Sequence, residues 1–517
     1  MNHDADTTRF DPPGPGGWKR LADHFPDALT PEYQRLYAET APAGMAIGME
    51  RHGVLARSID VGYVHGHLYI TPVPIAGPRE IRRTPPVAAV WLLSRLHPEF
   101  RRRTRSARRA LTERPWRAVA AHWFETERFE WERRNTAIQD IDVTALDDRA
   151  LAEHLRSCRA HLYAGYRRHF ELHGDDLLPV GLLIARCAEW GIDATVAMRA
   201  LDGASPESTG TTTPPDWQLV TGYDLDNLAW CELPSRSRSG ERREVTPFDL
   251  RQLVETADHD ELDGLVADAR AAVPLRDDNG ALTGAWPMGL LRRAMLETGR
   301  RLGCDDPTLA IEATVDELVG RLAELGSPSG SGAPSGSPSN NALSNEAPSN
   351  EVLRERQRDR AARSALDAPL TLGPDFAIPP MHALPRPLAL IGAAQLATVD
   401  HMVRSDAAVG VGTRCHTGRA LVVDDPVLAD AAFEPGDVVI TSFTSPSWNA
   451  ILAEAGAIVT TTGGLVSHAA VFARELGIPA VLGDTTATKR FTTGDLVTVD
   501  PVAGTVVHAG IEAPRPA

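Results

Sequence analysis

Residues 457–482, AIVTTTGGLVSHAAVFARELGIPAVL, place a histidine where a glycine-rich turn runs into a helix. The apolar residues 457–459 read as a buried strand. They lead into Thr460, Thr461, Thr462, Gly463 and Gly464, where glycine lets the backbone take positive φ and come close to a ligand. Ser467 suits the N-cap, His468 opens the helix, and Gly477 with Pro479 after it stops the helix. A helix start beside unpaired backbone N–H groups favours an anion. His468 is therefore the candidate nucleophile for a phosphoryl group. Thr462, Gly463, Gly464 and Ser467 are the candidate phosphate-binding residues, and Arg474 is a candidate for charge stabilisation. The plainer alternative is a histidine that only caps or hydrogen-bonds a turn.

The surrounding residues resemble the signature of the phosphoenolpyruvate-utilising enzymes. The resemblance is to the phosphohistidine, or swivelling, domain of pyruvate phosphate dikinase, phosphoenolpyruvate synthase and rifampicin phosphotransferase. It rests on Thr460, the glycines at 463–464, Ser-His-Ala-Ala at 467–470, Ala-Arg-Glu at 473–475 and Gly-Ile-Pro-Ala-Val at 477–481. The stretch PGDVVITSFTSPSWNAIL (435–452) and Gly-Asp-Leu-Val at 494–497 extend it over about residues 409–508. It implies that His468 carries the phosphoryl group. Val466 stands where the dikinases usually have threonine, which looks more like the rifampicin phosphotransferase branch.

The N-terminal region resembles the helical acceptor-binding domain of that branch. The matching segments are Asp-His-Phe-Pro at 23–26, Leu-Thr-Pro at 29–31, Gly-His-Leu-Tyr at 66–69, and 291–318 with its VDEL at 315–318. This resemblance implies acceptor binding by Arg292 and Arg293, with Glu297 as candidate acceptor-activating base. Relatives place an ATP-grasp domain ahead of this region and some end in a phosphoenolpyruvate-binding barrel. The expectation is that this chain lacks both, so ATP and Mg²⁺ would sit on a separate ATP-grasp protein. A division of this kind resembles phenylphosphate synthase. The alternative is a non-catalytic or regulatory phosphocarrier.

The elements that must position these residues fall into an α+β multidomain chain. A large, mostly α-helical domain at 1–326 precedes a compact β/β/α swivelling domain at 405–512. In the first, Leu151, Leu155, Cys158, Leu162, Tyr166 and Phe170 recur at helical spacing after a capping-box-like Thr144 and Asp147. Thr314 and Glu317 form a second box, and Gly326 should end that helix. Residues 61–71 alternate as a short hairpin. Residues 327–350 are Ser, Pro, Gly and Asn in the main and read as a flexible linker. Residues 351–404 read as an exposed charged helix and a Pro-rich connector, with the hinge expected at 385–387; 513–517 are a tail.

Composition bounds the function. The 517 residues carry 43% apolar and 24% charged residues, with a net charge of −16. That balance argues against a coat on nucleic acid or anionic membrane. No apolar run is long enough to span a bilayer and no signal peptide opens the chain, so the expected location is cytoplasmic. Five cysteines without close pairs signal neither a disulfide framework nor a zinc site, and no metal is expected. Lys19 and Lys489 are the only lysines, few for gripping nucleotide phosphates. The arginines at 101–109 suit a solvated helix face or a docking face for an acidic partner. His169 and His173 share a helix face near Asp175 and Asp176, read as packing or, alternatively, a metal pair. The expected acceptor is small and hydroxylated or aromatic, with Trp116, Trp123, Trp131, Trp190, Trp217 and Trp230 read mainly as core.

Overall fold

A computed structural model describes residues 9–22, 24–77, 85–204, 216–219, 223–232, 247–325, 348–374, 378–403, 408–424, 426–444, 448–465 and 467–510. The chain is α+β. Its helical body contains α1 (Pro31–His52), α2 (Val87–Leu96), α3 (Pro98–Glu113), α4 (Pro115–His122), α5 (Arg128–Gln139) and α6 (Asp148–Glu189). It continues through α7 (Ala194–Met198), α8 (His259–Gly280), α9 (Trp286–Arg301), α10 (Val315–Leu325), α11 (Asn350–Ser364) and α12 (Arg386–Val403). At 1.5 Å per residue, the 42 residues of α6 span about 63 Å, and α1, α8, α9, α10 and α12 pack against this spine.

The start of α6 corrects the expected capping box. Asp147 is the N-cap and accepts from Ala150 N–H, while Thr144 turns back to Asp142. Aspartate competes well for this position, and here it lies directly before the first helical residue. At α10 the box forms as expected: Thr314 N–H donates to Glu317 Oε2 and Glu317 N–H to Thr314 Oγ1. Gly326 and residues 327–347 of the expected linker lie outside the described residues.

A small antiparallel sheet joins distant parts of the body. Its strands are β1 (Trp18–Arg20), β2 (Ala56–Val64), β3 (His67–Pro74) and β4 (Thr371–Leu372), in the order β2-β3-β1-β4. The hairpin expected at 61–71 is the tip of β2 and β3, turning at His65 and Gly66.

The segment expected to be an exposed helix and loose connector is docked. On α11, Leu353 is fully buried in the main core, Arg356 pairs with Glu317, and Arg360 bridges Glu312 and Asp226. The prolines near 385–387 lead straight into α12, which lies along α6. Gly181 of α6 permits that contact: a Cβ there would sit 2.2 Å from the Ala394 carbonyl oxygen. A hinge at 385–387 would have to strip α12 from α6.

The C-terminal domain is a seven-stranded sheet with strands β5 (Val409–Val411), β6 (His416–Val422), β7 (Val438–Thr441), β8 (Ala457–Thr460), β9 (Ala480–Leu482), β10 (Leu496–Asp500) and β11 (Thr505–His508). Their order is β11-β10-β6-β7-β8-β9-β5, with β6 to β9 parallel and the rest antiparallel. Every residue of β7, β8 and β9 is buried, as expected for parallel strands covered on both faces. Helices α13 (Pro426–Ala432), α14 (Asn449–Leu452), α15 (His468–Leu476) and α16 (Ala487–Arg490) complete the domain.

Candidate active site

The site lies beyond the carboxyl ends of β7 and β8, where parallel sheets commonly bind ligands. From β8 the chain runs through Thr460, Thr461 and Thr462 to Gly463, whose φ of 94° is left-handed. Ser467 caps α15 by accepting from Ala470 N–H at 3.4 Å, His468 is the first helical residue, and Gly477 closes the helix at φ 66°. Val466 lies outside the described residues. Among the described residues, the backbone N–H groups of Gly463, Gly464, His468 and Ala469 have no protein partner. Four donors thus surround the start of a nine-residue helix whose dipole favours an anion.

From the loop after β7, Thr444 places its Oγ1 3.1 Å from His468 Nδ1. Thr444 is buried, so this contact fixes the ring. When Nδ1–H donates to Thr444, the lone pair remains on Nε2, the nitrogen left to react. Burial first, then the charges of His24 and Arg276, pushes the His468 pKa down to about 3. The ring is therefore neutral near pH 7, as a nucleophile must be.

Both groups named with His468 belong to the helical body. The C-terminal domain packs on it: Leu465 is buried among Val180, Leu183, Ile184 and Met198. Arg474 Nε lies 3.9 Å from Asp202 Oδ1 across the same contact. Burial lowers the Arg474 pKa to about 10 against the opposing pull of Asp202. Its position revises the expectation that it stabilises the phosphoryl group. Six residues beyond His468 it has turned through about 240° of helix and faces the body instead.

Four other expectations are revised by hydrogen bonding. Thr462 donates both its N–H and its hydroxyl to the Ser442 carbonyl, so it has no donor left for phosphate. Arg292 is buried, paired with both Glu232 oxygens and donating to the Leu225 carbonyl. Arg293 donates to the carbonyls of Ile138 and Gln139. Glu297 receives Arg300 and Arg301 in a structural clamp. None of the last three lines the cleft facing α15.

The cleft is lined by Asp176, Leu177 and Val180 of α6, Val273 and Arg276 of α8, and Val471, Arg474 and Glu475 of α15, among others. His468, Val471 and Glu475 stand at i, i+3 and i+7, so the cleft runs along the helix face that begins at His468. His169, His173 and Asp176 likewise share one face of α6. The His169 and His173 rings meet edge to face at 4.5 Å. Asn279 donates its amide to Leu275 O and so turns its oxygen, 2.5 Å away, to His169 Nδ1. Burial above all drives His169 down to about 4, and no group of three metal-ligating side chains forms among the described residues. The arginines at 101–109 are mostly exposed, Arg102 on Glu99 and Glu50, with Arg103 buried. Thr444, Arg276 and Asp202 are the residues sequence reasoning missed. Thr444 lies within the matching segment 435–452, but nothing in the sequence singles out Arg276 or Asp202.

Residues 433–504, within the second domain, match the family described as PEP-utilising enzyme, mobile domain. Over 74 residues the chain is 53% identical to the uncharacterized phosphotransferase YvkC of Bacillus subtilis, covering 14% of this chain and 9% of the relative. Over 96 residues it is 45% identical to the phosphoenolpyruvate synthase of Aquifex aeolicus, covering 19% and 11%. Over 94 residues it is 43% identical to the rifampicin phosphotransferase of Streptomyces sviceus, covering 18% and 11%. The matched segment thus spans about a tenth of these relatives' length. Among the described residues, no helix is long and apolar enough to cross a membrane.

Proposed function

We propose that this chain is a phosphotransferase component in which the mobile domain carries a phosphoryl group on His468. The observation that carries this reading is the His468 ring itself: neutral and held at Nδ1 by Thr444, at the start of a helix with four backbone N–H groups unpartnered among the described residues. Attack of Nε2 on a phosphoryl donor forms the N–P bond. The N–H groups then stabilise the added negative charge.

The donor in this reading is ATP with Mg²⁺ on a separate ATP-grasp protein, and the acceptor is a small hydroxylated molecule. With the domain docked, His468 faces the helical body; charging requires it to leave. Because α12 lies along α6, a pivot at 385–387 would have to break that packing.

The test is to incubate the full chain with Mg²⁺, radiolabelled ATP and the candidate ATP-grasp protein, and to map the label. An acid-labile, base-stable adduct on His468 supports the reading. Label elsewhere, or an adduct that survives His468→Ala, contradicts it.

A further inference from the structure

The cleft between α6, α8 and α15 contains a buried carboxylate that has no hydrogen-bond partner among the described residues. Asp176 is 1% exposed and lines the cleft, yet neither of its carboxylate oxygens has a hydrogen-bond partner. Its neighbour Asp175 accepts from Arg51 at 2.6 Å through Oδ2, although its Oδ1, 3.0 Å from His52 Nε2, makes no hydrogen bond. The closest charged or titratable contact to Asp176 is His173 Nδ1 at 3.8 Å, and burial drives that histidine well down, so it is neutral. A buried carboxylate without partners costs several kcal/mol, so a site that keeps one usually has a task for it. Pro179 adds to the irregularity, because it has no N–H to give the Asp175 carbonyl.

Arg276 lines the same cleft, and its charge acts on both Asp176 and His468. The remaining walls, Leu177, Val180, Met198, Leu201, Val273 and Val471, are apolar.

We infer that this cleft is the acceptor site, that it takes a small alcohol with an apolar body, and that Asp176 receives the hydroxyl proton while Arg276 holds the arriving phosphoryl group. The inference rests on the phosphocarrier reading above. In the step, the acceptor oxygen forms the new bond to phosphorus and its proton passes to Asp176. The P–Nε2 bond of phosphorylated His468 breaks, and its electron pair returns to Nε2. The products are a phosphate monoester, neutral His468 and protonated Asp176, which loses its proton to solvent when the domain leaves. Burial, with the adjacent Asp175, raises the Asp176 pKa to about 7 against the pull of Arg276. A base poised there is well matched to proton transfer near neutrality. The charged or titratable groups facing it are Arg276, His173 and Asp175 from the body, and Arg474 and Glu475 from α15.

The test uses the full chain, charged at His468 with potassium phosphoramidate and followed by phosphorus NMR. Benzyl alcohol and 1-propanol are the probes, and the alcohol-dependent rate is the loss of phosphohistidine above the alcohol-free control. Benzyl alcohol should accelerate discharge with appearance of benzyl phosphate. Asp176→Asn should charge normally but lose about a hundredfold or more of that acceleration. In the wild-type chain, which needs no substitution to fold, the alcohol-dependent rate should climb with pH and level off above about 7. Val273→Phe, filling the cleft, should abolish the alcohol effect and leave charging intact. No acceleration by either alcohol, a pH-independent rate, or discharge of Asp176→Asn at the wild-type rate overturns the assignment. Failure to charge His468 at all overturns the carrier reading beneath it.

Discussion

Thr444 Oγ1 lies 3.1 Å from His468 Nδ1, joining the loop after β7 to the first residue of α15. The contact crosses between two parallel strands, so the sheet register sets the orientation of the imidazole. Thr444→Val keeps the shape and removes the hydroxyl. Losing one hydrogen bond of about 1 kcal/mol should slow phosphorylation of His468 about five- to tenfold. Thr444→Ser should restore most of the rate. Single-turnover charging kinetics of the three proteins check this, and a Val variant as fast as wild type contradicts it.

Asp176 should report itself in stability as well as in chemistry. Its folded pKa, about 7, is raised above the ordinary 3.8, so the folded state holds a proton that the unfolded state releases. The Asp176 contribution to stability therefore falls as pH rises from about 4 to about 7, and its loss is complete above 7. Asp176→Asn has no such dependence. Its stability relative to wild type should rise across that window by a few kcal/mol and then stay level. Urea unfolding at a series of pH values measures this difference, and a pH-independent difference contradicts it.

Arg474 and Asp202, 3.9 Å apart, hold the mobile domain against the helical body. Arg474→Met should shift the population towards the undocked form without preventing charging of His468. Fluorescence transfer between labels on the two domains should fall, while the charging rate with phosphoramidate stays within about twofold of wild type, because Arg474 lies further along α15 than His468 and pairs with Asp202. A variant that stays docked, or that cannot be charged, contradicts this assignment.

Much of the carrier was legible because it is local. Turn glycines, the Ser467 cap, His468 and the Gly477 stop lie within fifteen consecutive positions and form as the sequence predicts. The cleft was not legible, because it is assembled from residues of α6, α8 and α15 that lie far apart in sequence. The spacing of His169, His173 and Asp176 put three polar groups on one face of α6 and was the available signal. Arg292, Arg293 and Glu297 misled because arginines and glutamates one turn apart serve equally to clamp a buried helix, as they do in α9. The charged helix α11 misled in the same way: one leucine, Leu353, and two long arginines suffice to dock it.

Gly181 tests where the swivel is. The Cβ of Gly181→Ala would meet the Ala394 carbonyl at 2.2 Å and push α12 from α6. Overpacking of this kind should cost about 1–3 kcal/mol in denaturant unfolding. A disulfide tying α12 to α6 should, in contrast, leave transfer from His468 intact. Loss of transfer in the tied protein places the pivot before α12.

The central claim is that His468 carries the phosphoryl group. The most direct measurement is mass spectrometry of the full chain after exposure to phosphoramidate, with peptide mapping under alkaline conditions. One phosphoryl group on His468, absent from His468→Ala and discharged on acidification, is the predicted result. A chain whose stable label lies on any other residue, or that takes up none while the fold is intact, contradicts the account.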